Sequence, residues 1–165
     1  LRHHMGDPIR ILPSIGVGLR QQGISYGSAA TAESVLAIYA AHLERAREAP
    51  VDGIQLLDRC AVDALCYTRA LELNSETEVR LLTEVSHAMA ADLDFVVHLT
   101  MGGIFATSTA SHETPELRQR VAAEFAKALA DLSRPHCSVY AAAPDAIAEA
   151  VSEIRKIQST YLSSR

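Results

Sequence analysis

Short apolar runs alternate along this chain with longer stretches that carry apolar residues at helical spacing. The runs are Ile9–Leu12, Gly53–Leu57, Asp94–Thr100 and Cys137–Tyr140. Between them the spacing predicts a short helix over Ser14–Gln22, ended by Gly23, and a long one over Thr31–Ala49, ended by Pro50. In the long helix Val35, Leu36, Ile38, Tyr39 and Leu43 form the apolar pattern, and Thr31 or Ser28 is the expected cap. A helix over Arg59–Glu72 should turn Val62, Leu65, Cys66 and Ala70 inward. Ser75 and Glu78 form a capping box for Glu76–Ala91, and Pro115 sits at the first position of a helix reaching Leu132. Pro144-Asp145 opens a last helix that reaches about Gln158. Met101–Thr114, rich in Gly and Thr, has weak periodicity and reads as a loop or mobile flap. Strands that alternate with helices predict an α/β fold: a largely parallel β-sheet flanked by helices on both faces, joined by right-handed crossovers.

A length of 165 residues fits a single domain, 1–165, able to bury a substantial core, and 48% apolar residues place it among globular chains. The net charge of −5 and the scarcity of aromatic residues argue against binding a nucleic acid polymer. Cys60, Cys66 and Cys137 contain no CxxC spacing, so reduced thiols and a cytoplasmic setting are expected. No run is long enough to span a membrane, so no membrane partner is expected. The Ala-rich helices allow pairing in a homodimer.

The chemistry concentrates where the second run ends in Asp58-Arg59. Open parallel sheets bind ligands outside the carboxyl ends of their strands. An Asp there can hold a hydrated metal ion, and an Arg can meet a phosphate with a planar fork of donors. The alternatives are that Asp58 caps the following helix and that Arg59 pairs with Asp63, one turn on. Asp63 could equally hold Arg59 in place for a ligand. Arg20 and Tyr26 flank a loop where a base or sugar could bind, and Arg69 reads as a solvated helix residue. Arg118 and Arg120 are two apart, so they point to different faces of their helix; Arg118, nearer the flap, is preferred. The histidines show no metal-ligand spacing, and no GxSxG elbow supports a serine nucleophile.

The stretch Leu56-Leu57-Asp58-Arg59-Cys60-Ala61-Val62-Asp63-Ala64-Leu65-Cys66-Tyr67 resembles the strand-end Asp-Arg motif and following helix of the P-loop nucleoside and nucleotide kinases. The likeness is to small bacterial ATPase/kinase-like domains related to thymidylate and deoxynucleoside kinases. Ile9–Gly23 resembles that family's second strand and substrate-side helix, Asp94–Thr100 its strand leading into the lid, and Thr114–Arg120 the helix leaving it. The resemblance implies a three-layer P-loop fold, with ATP and Mg²⁺ as cofactors and a nucleoside or nucleotide as acceptor. It implies Asp58, Arg59 and Arg118 as catalytic residues, with Asp58 holding the metal through water. Arg20, Tyr26, Asp63 and Arg120 would bind substrate or phosphate.

The family's phosphate loop, GxxxxGKS or GxxxxGKT, is absent, and Gly16-Val17-Gly18 does not replace it. The loop and its strand are expected ahead of residue 1, with Leu1–His4 as the end of the helix after it. Ser14 stands where the family often has an acid, which favours a phosphate acceptor over a hydroxyl acceptor. The Arg-poor flap and the missing loop support an alternative: a non-catalytic kinase-like module for nucleotide sensing or protein association.

Overall fold

The computed structural model describes residues 9–47, 54–100 and 113–163. β1 (Ile9–Leu12) leads into α1 (Ile15–Gln21), a 3₁₀ turn at Gly27–Ala29 and α2 (Ala32–Ala46). β2 (Ile54–Leu57) is followed by α3 (Ala61–Leu71) and α4 (Glu76–Ala90); β3 (Val96–Thr100) by α5 (Pro115–Ala130); and β4 (His136–Tyr140) by α6 (Ala146–Ser163). The expected Leu1–His4 helix end, the stop at Ala49-Pro50, Gly53 and nearly all of the Met101–Thr114 flap lie outside the described residues.

Local chemistry sets the helix ends. Ser14 Oγ accepts from the Gly16 N–H at 3.3 Å to start α1, and Gly23, with φ +76°, turns the chain away from its end. Thr31 and Ser34 cap α2 reciprocally: Thr31 N–H donates to Ser34 Oγ at 2.7 Å and Ser34 N–H to Thr31 Oγ1 at 3.3 Å. The Ser75–Glu78 box opens α4 as expected, with Ser75 N–H donating to Glu78 Oε2 at 2.7 Å. Thr114 Oγ1 accepts from Leu117 N–H at 3.2 Å ahead of Pro115 and α5.

The strands form two parallel two-stranded ladders among the described residues. β1 pairs with β2 in the register Ile9↔Ile54 to Leu12↔Leu57, and β3 pairs with β4 from Val96↔His136 to Thr100↔Tyr140. In each ladder both carboxyl ends therefore reach the same edge. The alternation expected from the sequence holds, and the fold is α/β with parallel strands.

The core is built around α3, which packs against α2, α4 and α5. One face carries Val62, Cys66 and Ala70 into a cluster with Ala90, Leu117, Val121 and Leu129. The other carries Ala61 and Ala64 against Val35, Tyr39 and Leu82. Small alanines let the helices approach closely, and each fully buried Leu or Val adds about 1.5–3 kcal/mol. Val62, Leu65, Cys66 and Ala70 are all buried, as their spacing predicted. The α2 stripe differs from expectation: Val35 and Tyr39 are buried, whereas Leu36 and Leu43 are exposed. Tyr39 is a core residue; its hydroxyl donates to Ser86 Oγ at 2.8 Å, and Ser86 Oγ donates to the Ala61 carbonyl at 3.2 Å. Arg69 is not solvated as expected. It donates to Thr83 Oγ1 at 3.2 Å and faces Glu124 at 3.9 Å, tying α3 to α4 and α5.

Candidate functional site

β2 delivers Asp58 and Arg59 to the carboxyl edge of the β1–β2 ladder, and both are exposed. Asp58 does not cap α3. That position belongs to Cys60, whose N–H donates to Asp63 Oδ2 at 2.9 Å. The other oxygen of Asp63 accepts from Arg59 Nη1 at 3.0 Å. One carboxylate thus starts the helix and orients the cation beside it. This is the Arg59–Asp63 ion pair that the spacing allowed. Arg59 takes a left-handed backbone, φ 73°, which is unfavourable for a residue with a Cβ. The turn throws the guanidinium back along the α3 face where Asp63 lies.

That face continues to Tyr67, four residues beyond Asp63. The Tyr67 hydroxyl donates to Glu113 Oε1, and Glu113 Oε2 faces Arg118 Nε at 3.4 Å. Glu113 therefore joins the first turn of α5 to the α3 stripe. Four predicted residues, Asp58, Arg59, Asp63 and Arg118, share this charged band, with Tyr67 and Glu113 completing it. Arg118 is the partly buried, inward member of its pair, while Arg120 is exposed on another side of α5.

Each cation in the band faces a carboxylate, and the exposed Asp58 adds a further negative charge. Burial, and then Asp63, push the Cys60 thiol up to about 12, so it is protonated and unsuited to nucleophilic attack. Burial holds His98 of β3 below its ordinary value, and the Asp63 carboxylate partly offsets this. His98 stacks on Phe125 of α5, with centroids 4.9 Å apart, and bonds to Ser138 Oγ at 3.2 Å. It is a strand histidine engaged by both neighbours. Among the described residues no group of three His, Cys, Asp or Glu side chains could hold a metal.

Arg20 and Tyr26 pair with each other rather than with the band. Arg20 donates to the Tyr26 oxygen and lies 5.2 Å from the ring centroid, a cation–π distance. With Gly23, Ile24, Ser25 and Ala29 they line an open depression of about 240 Å³. The Tyr26 ring lies near Gly16 in the first turn of α1, two residues after the cap Ser14. A second furrow, of about 420 Å³, is lined entirely by α6 residues and includes none of the expected site residues.

Sequence reasoning missed three residues: Tyr67, Glu113 and Arg45. Tyr67 had a signal, its four-residue spacing from Asp63 on one face of α3, a face that Arg59 meets from ahead of the helix. Glu113 reaches Tyr67, and Arg45 its two carbonyls, only through long-range packing. Arg45, in the last turn of α2, is buried and donates to the carbonyls of Pro13 and Asp58, the latter at 3.3 Å. Among the described residues no helix is long and apolar enough to cross a membrane. The chain matches no protein-family model and has no significant match among curated proteins, so the site is defined by its own geometry.

Proposed function

We propose that this chain is an ATP- and Mg²⁺-dependent phosphotransferase acting on a nucleoside or nucleotide, built on a three-layer P-loop kinase-like fold. One observation carries the reading: an exposed Asp-Arg pair stands at the carboxyl edge of parallel strands, with Arg59 aimed by Asp63 from a left-handed turn. Ligands of open α/β sheets bind at such edges. Exposed apolar residues on both ladders, Ile11, Leu57 and Leu99, support their being parts of one sheet whose faces helices cover.

In this proposal Arg59 leaves Asp63 to meet an acceptor or donor phosphate, and Arg118 leaves Glu113 to do the same. Arg120 is the more exposed alternative on α5. Arg20 and Tyr26 hold the acceptor in the depression at the end of α1. The lone exposed carboxylate of Asp58 fits Mg²⁺ bound through water, because that ion keeps several waters and takes its remaining oxygens from phosphates. When bound, Mg·ATP supplies the phosphoryl group and offsets its charge. The protein's own contribution is positioning and charge complementarity. Three free thiols among the described residues support a reducing, cytoplasmic setting.

The test is phosphoryl transfer from Mg·ATP to a panel of nucleosides and monophosphates. Asp58→Asn and Arg59→Ala should each lower kcat/KM roughly a hundredfold or more. Transfer undiminished in both variants removes these residues from the site.

A second reading has specific observations behind it: Arg59 already pairs with Asp63, and Arg118 already faces Glu113. These favour a non-catalytic kinase-like module, with a homodimer as the simplest assembly. Calorimetric binding of Mg·ATP without turnover on any acceptor would select it.

A further inference from the structure

Arg45 is buried, with 8% of its surface exposed, and sits in the last turn of α2. Its Nη1 donates to the Asp58 carbonyl at 3.3 Å, and its Nη2 donates to the Pro13 carbonyl. These carbonyls belong to the residues that directly follow β2 and β1. The strands end in the register Leu12↔Leu57, so one guanidinium spans the carboxyl edge of the ladder. A guanidinium suits this span because two nitrogens at a fixed separation can serve two acceptors at once, which a single ammonium does poorly. The peptide whose carbonyl Arg45 holds leads straight into Arg59 and its left-handed backbone. Downstream, the Cys60 N–H is pinned by Asp63. The turn is therefore held at both ends, by Arg45 before Arg59 and by Asp63 after it.

We infer that Arg45 is a positioning residue that sets the Asp58–Arg59 turn, and does so by clamping the carboxyl ends of β1 and β2 together. Its functional meaning rests on the phosphotransferase reading; its action on the turn does not. On the other side of the clamp, Pro13 precedes Ser14, the cap of α1, so Arg45 also fixes where the helix carrying Arg20 begins. Removing the guanidinium leaves the Pro13 and Asp58 carbonyls without this donor, a loss seated at the strand ends. This allows local positioning to be read apart from global folding.

The experiment is residue-resolved amide exchange and arginine side-chain NMR on the full chain, comparing Arg45→Met and Arg45→Lys with a core variant, Leu65→Ala. In Arg45→Met, exchange at the Cys60 amide should speed up by about tenfold or more relative to the α3 interior amide of Leu65, because a charge-assisted bond beside the turn is lost. The Arg59 guanidinium signals should move towards those of free arginine. Arg45→Lys should restore part of both effects, and Leu65→Ala should leave the Arg59 signals in place. Should Arg45→Met fail to fold, Arg45→Lys carries the same comparison, with a smaller loosening at Cys60 expected. An unchanged Cys60-to-interior ratio together with unchanged Arg59 signals overturns the inference. Absence of phosphotransfer in the unsubstituted protein would end the kinase reading and leave this result standing.

Discussion

Arg59 and Glu72 are the two residues other than glycine with left-handed backbone among the described residues. Glu72 ends α3, where such a residue is common. Arg59 precedes its helix, where packing offers no such reason. Glycine would hold this conformation without a Cβ clash, so Arg59→Gly is expected to be more stable than Arg59→Ala by about 1 kcal/mol in urea denaturation. Under the proposed function both variants, lacking the guanidinium, should lose phosphotransfer alike. Equal stability of the two would remove the strain argument for a functional arginine.

The Asp-Arg dipeptide was legible in the sequence, but its turn was not, because the usual markers of left-handed backbone, Gly and Asn, are absent there. Gly23 carried such a marker, and its φ of +76° agrees with the expected helix end. His42 was silent in the sequence too. It is buried one turn before Arg45, and burial, then the Arg45 charge, hold its pKa down to about 4. An unfolded imidazole titrates near about 6.5, so between these values the unfolded chain binds a proton that the native chain refuses. The His42 contribution is complete above about pH 6.5 and is lost as the pH falls towards 4. Denaturant midpoints should therefore decline across that window, and His42→Gln should flatten the decline. A slope unchanged by the substitution would assign it to other groups.

At the scale of elements, the signals that worked were those contained within four residues. Ser75–Glu78, Thr31 and Thr114-Pro115 each satisfy helix N–H groups through side chains close in sequence, so composition alone marks the ends. The last helix ran past its expected end near Gln158, to Ser163, since no Gly or Pro marks the stop. The apolar stripe of α2 misled for a different reason. Its buried line runs Val35, Tyr39, His42 and Arg45, at the right helical spacing but with polar occupants in its second half. A hydrophobicity pattern therefore shifts towards Leu36 and Leu43, which face outward. The polar half is where α2 meets the strand ends and supplies Arg45, so the element departs from the apolar rule where it serves the candidate site.

At the scale of the molecule, strand direction could be anticipated from the helical crossovers, but the pairing of strands into ladders could not. Nor could the Tyr67–Glu113 link of the charged band, whose two members lie far apart in sequence and meet only because α3 packs on α5. α3 and α4 contribute to both core clusters: Val62, Cys66 and Ala90 serve one, and Ala61, Ala64 and Leu82 the other. Leu65, 1% exposed, lies between the α3 members of these two sets. If α3 couples the two clusters into one cooperative unit, damage to it must be felt on both sides. Leu65→Ala should cost about 2–5 kcal/mol through lost burial and the cavity left behind. Amide protection in β1–β2 and in β3–β4 should then fall by the same factor, since global unfolding exposes both. Loss confined to one ladder would mean that the halves open independently. The charged band between α3 and α5 would then depend on a contact that opens before the fold does, and Arg118 would be expected to exchange between its Glu113 pair and solvent without any ligand.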